Sequence, residues 1–179
     1  MSRLILINGD LAAGKSSLAD ALSLSLSIPC FKKDPIKERF CDMYGYSNRE
    51  ENRKLSVMAV NYMIDAFERF ASLNSDVILE ANFRNDELLR IKEIADKYKV
   101  DVISLVLHGD IDILYERFLK RLPTRHKAHM SLHLDESVEV FEKYINELRN
   151  EDNVFLPHII DTSKKDENEV LKIALKYIK

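Results

Sequence analysis

The sequence predicts an α/β fold with a mainly parallel sheet, and three observations carry that prediction. Short apolar runs recur along the chain, amphipathic stretches of helical length separate them, and only 4 Gly and 4 Pro punctuate 179 residues. Strands that alternate with helices are the mark of a sheet assembled from βαβ crossovers. The scarcity of Gly and Pro predicts short loops and plentiful helix. With 46% apolar residues and no linker, repeat or low-complexity tract, residues 1–179 read as one domain with one full core.

The buried strands are expected at "LILIN" (4–8), "IPCFKK" (28–33), "VILEAN" (77–82), "DVISLVLHG" (101–109) and "HIIDT" (158–162). Between them, Leu18, Leu22 and Leu26 share one helical face, and so do Leu88, Ile91 and Ala95. Leu114 with Phe118, and Val170 with Ile173 and Ala174, repeat the pattern. In a helix over 50–73, Met58, Tyr62 and Ala66 share the apolar face, and Arg53, Asn61, Tyr62 and Asp65 are expected to line part of a substrate pocket. The stretch "LPTRHKAHMSLHLD" (122–135) is irregular, polar and flanked by helical segments, which suits an exposed loop acting as a lid.

Charge narrows the function classes. The formal net charge is −3, from 27 basic and 30 acidic residues, which argues against general nucleic-acid or membrane-surface binding. Two cysteines make no disulfide framework, so a reducing cytoplasm is the simplest setting. The apolar run Leu4–Ile7 is far too short for a signal-peptide core or a membrane span.

One stretch is highly specific. Gly9-Asp10-Leu11-Ala12-Ala13-Gly14-Lys15-Ser16 satisfies G-x-x-x-x-G-K-[ST], with a buried strand before it and a helix after it. Gly9 and Gly14 allow torsions and close approach that a side chain would obstruct. The loop can then aim successive N–H groups at phosphate oxygens, helped by the positive helix N-terminus. Lys15 is expected on the β- and γ-phosphates and the Ser16 hydroxyl on Mg²⁺, with Ser17 following in the helix.

A phosphate cradle alone does not separate a kinase from a GTPase or a regulatory ATPase. The guanine-selecting N-K-x-D is absent: the segments after the later strands read "HGDIDI" and "DTSKKD". Three other stretches suit a small kinase. In "FKKDPIKERF" (31–40), Asp34 falls at the carboxyl end of a strand, where a carboxylate can take the proton of an acceptor hydroxyl. It could equally cap a helix starting at Pro35. In "DVILEANFR" (76–84), Glu80 and Asn82 end a strand where they could serve the metal shell or substrate, and Arg84 could reach an anion.

In "YERFLKRLPTRHKAH" (115–129), Arg117, Arg121 and Arg125 are four residues apart and form one cationic stripe if the helix extends that far. Arginines that close over a transferring phosphoryl group stabilise its charge, and Arg117 could instead stack on adenine. His126, His129 and His133 come with no H-E-x-x-H and no cysteine pair. They read as polar residues of the loop, with His126 and His129 able to contact substrate.

Taken in order, "GDLAAGKSS", "FKKDPIKERF", "VILEANFR", "ERFLKR", "RHKAH" and "IIDTS" resemble the small P-loop kinases related to zeta toxins, chloramphenicol phosphotransferase and the kinase part of polynucleotide kinases. The resemblance covers nearly the whole chain. It implies a three-layer P-loop fold with a five-stranded parallel sheet in order 2-3-1-4-5 and an arginine-bearing lid. It implies Asp34 as the base and Arg117, Arg121 and Arg125 around the triphosphate. Asp161-Thr162-Ser163 then matches the loop that borders adenine. Glu80-Ala81-Asn82 stands where zeta toxins carry E-G-T, and "RHKAH" lacks the Pro-Gly of some relatives.

The favoured expectation is an ATP- and Mg²⁺-dependent kinase acting on a hydroxyl of a small or nucleotide-like acceptor. A regulatory nucleotide-binding module with weak ATPase activity and a toxin-like kinase stay open.

Overall fold

Strand β1 (Arg3–Gly9) occupies the centre of a parallel sheet, and its side chains alternate between two separate cores. Ile5 and Ile7 point into one layer and Leu4 and Leu6 into the other, all within 1% of complete burial. A strand covered on both faces must be apolar without interruption, which is why "LILI" lacks a polar alternation. In this computed structural model, residues 2–129, 133–150 and 154–178 are described.

The remaining strands are β2 (Cys30–Lys32), β3 (Val77–Glu80), β4 (Asp101–His108) and β5 (Pro157–Asp161). The sheet runs β2-β3-β1-β4-β5 with every pairing parallel. β1 gains a residue at each end relative to expectation, while β2 and β3 are trimmed. β2 keeps three residues, and β3 stops at Glu80, so that Ala81 and Asn82 belong to the loop at its carboxyl end.

Helices α1 (Lys15–Leu26), α5 (Ile111–Arg121), α6 (Val138–Arg149) and α7 (Glu167–Ile178) cover one face of the sheet. Their Leu18, Leu22, Leu114, Phe118, Phe141 and Ala174 meet Ile5, Ile7, Leu105 and Leu107. Helices α3 (Arg49–Ser72) and α4 (Asn85–Tyr98) cover the other face. Each large side chain buried this way removes enough apolar area to contribute about 1.5–3 kcal/mol. Helix α2 (Lys33–Tyr44) packs on α3 beside the carboxyl end of β2.

The face of α3 differs from expectation. Met58 and Tyr62 are exposed, and the buried stripe is Leu55, Ala59, Met63 and Phe67, joined by Val60, Ile64 and Ala71. That stripe is longer and more continuous than the one through Tyr62, so it wins the sheet. Tyr62 instead sets its ring edge-on to Phe31.

The segment after α5 is also more ordered than a loose loop. It forms two 3₁₀ turns, Leu122–Thr124 and Lys127–His129, and Ala128 is completely buried with Cys41 and Leu55. Of the stretch 122–135, residues 130–132 lie outside the described residues. No helix among the described residues is long and apolar enough to cross a membrane.

Candidate active site

The phosphate loop, residues 10–14, joins β1 to α1 at the carboxyl edge of the sheet. Gly9 is required twice over: its φ is +126°, and a Cβ there would stand 2.1 Å from the Leu107 carbonyl oxygen of β4. Gly14 caps α1 at φ +87° with no other protein atom near its missing Cβ, so within the fold its need is conformational. The first amides of α1 have no partner within the helix and open on the cleft. The Lys15 ammonium is buried and donates to the carbonyls of Gly9 (3.1 Å) and Asp10 (2.7 Å). Burial lowers its pKa to about 8, against the pull of Glu80, Asp34 and Asp10.

Asp10 faces the other way. Its N–H donates to Leu107 O at 2.8 Å, and its carboxylate, 1% exposed, takes the Gly109 N–H and the Arg149 guanidinium. Within the predicted cradle its part is therefore to anchor the loop, and its side chain does not line the cleft.

The cleft itself is a cavity of about 500 Å³, and residues 11–17 form one wall. Opposite them stand Asp34, Glu80, Asn82 and the arginines of α5. The Ser16 hydroxyl donates to Glu80 at 3.1 Å. Burial raises the Glu80 pKa, with Lys15 opposing. Ser16 and Glu80 thus make a pair of hard oxygen donors beside the phosphate loop. Such a pair fits Mg²⁺, which takes few protein ligands and completes its shell with phosphate oxygens and water. Among the described residues, no group of three or more His, Cys, Asp or Glu is gathered as a metal cage.

Asp34 is not a helix cap. Helix α2 starts at Lys33 with Lys32 as N-cap, and Asp34 lies in the first turn with its side chain 45% exposed to the cleft. Burial of its surroundings pushes its pKa up, but Lys33, His129, Lys15 and Arg125 together hold it below the ordinary carboxylate value. It is therefore an anion in the cleft at neutral pH.

Helix α5 ends at Arg121, so the three arginines do not continue on one helix. They still converge on the cleft, because the 3₁₀ turn at 122–124 folds Arg125 back over the Phe118 ring at 5.6 Å. Arg117 is bound to the loop after β5, donating to the carbonyls of Thr162 (2.9 Å) and Ser163 (3.4 Å). It also borders a second cavity of about 340 Å³ beside Ala12, Leu18, Thr162, Asp166 and Val170. Thr162 thus lines this second cavity together with Arg117. Asp161 turns its carboxylate to the Ser163 N–H at 2.9 Å and away from that cavity.

A third cavity, of about 240 Å³, adjoins Asp34 and is lined by Glu38, Thr124, Arg125, His126 and His129. The two histidines bind α2. His126 Nε2 lies 3.1 Å from Asp42, and His129 Nε2 lies 2.7 Å from Glu38. The helix α3 residues Arg53, Asn61, Tyr62 and Asp65 line none of these three cavities. Asn61 accepts from Arg90 on α4 instead. Arg84 is the exposed N-cap of α4, where its N–H donates to Glu87, and it too stays outside the cleft.

Several lining residues carry weak sequence signals. Glu38 is one helical turn beyond Asp34, a spacing that puts both on one face. Lys33 and Lys120 also reach the cleft, each next to a residue singled out from the sequence. Arg149 gives no local signal, because its partner Asp10 is 139 positions away.

No protein-family model and no curated protein matches the chain. Solved structures do. A protein of Chloroflexus aurantiacus described as a candidate kinase matches with a TM-score of 0.83 and 25% identity, covering 99% of each chain. A gluconokinase from Sinorhizobium meliloti matches at TM-score 0.63 and 17% identity over 98% of this chain and 91% of its own. The APS kinase of Mycobacterium tuberculosis, solved with AMPPNP and APS, matches at 0.63 and 12% over 99% and 97%. The five-stranded parallel sheet and its strand order are thus those of the P-loop kinase fold, and the chain's structural neighbours are kinases of that fold.

Proposed function

We propose that the chain is an ATP- and Mg²⁺-dependent kinase that transfers the γ-phosphate to a hydroxyl of a small or nucleotide-like acceptor. One observation carries the reading: the Asp34 carboxylate and the Lys15–Ser16–Glu80 group open on the same cleft of about 500 Å³. A protein that only bound or hydrolysed a nucleotide would have no need of a free carboxylate beside a separate side cavity.

In this reading, the triphosphate lies along residues 11–17 with Lys15 released from its two carbonyls onto the β- and γ-phosphates. Thr162 and Arg117 border the adenine, with Ala12, Leu18 and Val170 as its apolar wall. Ser16 and Glu80 hold Mg²⁺, which when bound neutralises phosphate charge. Asn82 serves the substrate side of the same cleft. The acceptor sits in the cavity of about 240 Å³ beside Asp34, within reach of His126 and His129. Asp34 accepts the hydroxyl proton as its oxygen attacks phosphorus, and Arg121 and Arg125 offset the charge spread over the equatorial oxygens. The segment at about 122–135 acts as the cover. Two free thiols, Cys30 and Cys41, suit a reducing cytoplasm.

The test is a screen of sugars, sugar acids, polyols and nucleosides for ADP formation and a phosphorylated product. At least one acceptor should be phosphorylated by the native chain and none by Lys15→Ala. ATP consumption by Lys15→Ala at the native rate would refute the reading.

A further inference from the structure

The side cavity contains an imidazole held with unusual completeness. The His129 side chain is 8% exposed, and its Nε2 lies 2.7 Å from Glu38 Oε1. The turn that carries it is fastened from several directions. Tyr46 Oη donates to Lys127 O at 2.6 Å, and Asn52 Nδ2 donates to Ala128 O at 3.0 Å. Lys37, itself buried, donates to that same Asn52 at 2.7 Å. His126 accepts the Ala128 N–H on Nδ1 and so offers its Nε2 proton to Asp42.

These restraints leave one imidazole atom unused. A carboxylate can only accept, so Glu38 fixes the ring proton of neutral His129 on Nε2. Nδ1 then has a bare lone pair, and it lies 3.9 Å from Asp34 Oδ1. Two acceptors face each other with no proton between them. We propose that His129 is the positioning residue of the Asp34 base, and that its Nδ1 receives the proton which Asp34 takes from the acceptor hydroxyl.

The proposal rests on the kinase reading and deepens it. The acceptor oxygen forms a bond to the γ-phosphorus while the bond from that phosphorus to the bridging β,γ-oxygen breaks, its electron pair leaving with ADP. The hydroxyl proton passes to Asp34, whose new O–H closes the 3.9 Å gap to hydrogen-bond distance, directly or through one water, and then to His129 Nδ1, giving an imidazolium between two carboxylates. Solvent takes that proton after the product leaves. Asp34 alone is a poor store, since its surrounding cations keep it ionised.

Several charges face this imidazole. Asp34 and Glu38 of α2 favour its protonation, whereas Arg125, from the segment after α5, opposes it. Arg121 borders the same cavity, and Lys33 and Lys15 act on Asp34. Burial outweighs the two carboxylates and lowers the His129 pKa below its ordinary value. The ring is therefore neutral, and ready to receive a proton, at pH 7.

The experiment is nitrogen NMR of the imidazole in the full chain, titrated from pH 5 to 8 in the native protein, Asp34→Asn and Glu38→Gln, with His129→Gln to assign the signals. The native ring should show the Nε2–H tautomer and a pKa below 6.5. Asp34→Asn should move that pKa down by at least half a unit, and Glu38→Gln should mix the tautomers. An Nδ1–H tautomer, or an Asp34→Asn titration unchanged from native, would overturn the proposal. Failure of the kinase reading looks different: the native chain would phosphorylate no acceptor in the screen, whatever the imidazole does.

Discussion

The Arg149 guanidinium clamps the Asp10 carboxylate with Nε and Nη2, and the same Nη2 donates to the Gly109 carbonyl at 2.7 Å. Asp10 in turn offers its own carbonyl to Lys15. The last turn of α6 is thus two contacts away from the lysine that is expected to meet the triphosphate. Arg149, itself partly exposed, holds the buried carboxylate of the first residue of the phosphate loop in a bidentate pair, the strongest class of side-chain contact.

Asp10→Ala leaves a guanidinium that water can reach and should cost less, whereas Arg149→Ala strands the buried Asp10 carboxylate and should cost about 3 kcal/mol. For a chain of this size that lowers Tm by about 6–12 °C. The double variant should cost less than the sum of the two singles, because it leaves neither charge unpaired. Thermal melts of the four proteins measure this coupling directly.

Above pH 8, Lys15 should make nucleotide binding a protonation event. Its folded pKa is about 8 and its ordinary value 10.5, so between these the empty site holds a largely neutral amine while the unfolded chain keeps its proton. Bound phosphate draws the proton back. At pH 9, ATP binding should take up close to one proton, read by calorimetry in buffers of different ionisation heat, and Lys15→Met should take up none. The same shift sets a stability trend. The unfolded state binds more protons across that window, so empty-state stability should rise with pH from about 8 to 10.5 relative to Lys15→Met.

Glu80 should trade stability for metal binding. Burial raises its folded pKa, so the stability it contributes is present below the ordinary value of 4.5 and is lost as pH rises through the folded value. At pH 7 the buried charge is a cost, and Glu80→Gln should melt higher than the native chain, with the difference vanishing below pH 4.5. The same substitution should raise the Mg²⁺ concentration for half-maximal activity roughly tenfold, since it removes the anionic donor beside Ser16. Melting curves and a Mg²⁺ titration check the two halves.

The two loop glycines should differ sharply. At Gly9 a methyl group meets backbone at 2.1 Å, and neither strand can retreat without breaking the sheet. Gly9→Ala should cost about 4 kcal/mol or more, in the range reserved for backbone conflicts. Gly14→Ala meets nothing within 4 Å and should cost about 1–2 kcal/mol for its left-handed conformation. Denaturant unfolding of both variants separates steric from conformational need.

Local physics explains which of these features were legible in the sequence. The phosphate loop was, because eight adjacent residues carry its whole chemistry and the strand before it is uniformly apolar. The alternation of strands and helices was legible for the same reason, while the strand order came from a resemblance and was then found in the sheet. The face of α3 was misread because two stripes of that helix hold apolar residues. Counting Leu55, Ala59, Met63 and Phe67 at successive i,i+4 steps identifies the longer one. The strand end places Asp34 but not its surroundings: His129 meets Glu38, 91 positions away, and Ala128 meets Asn52, 76 positions away, only because the turn at 127–129 docks on α2 and α3. Contacts across such separations leave no periodic trace.

Asp34→Asn tests the central claim most directly, because the substitution keeps the shape of the side chain and removes its charge together with its capacity to take a proton. ATP affinity and phosphate transfer to the acceptor found in the screen are measured on the same preparation. The account predicts ATP affinity within about twofold of native and transfer reduced by about 10²-fold or more. Transfer by Asp34→Asn at the native rate would contradict it.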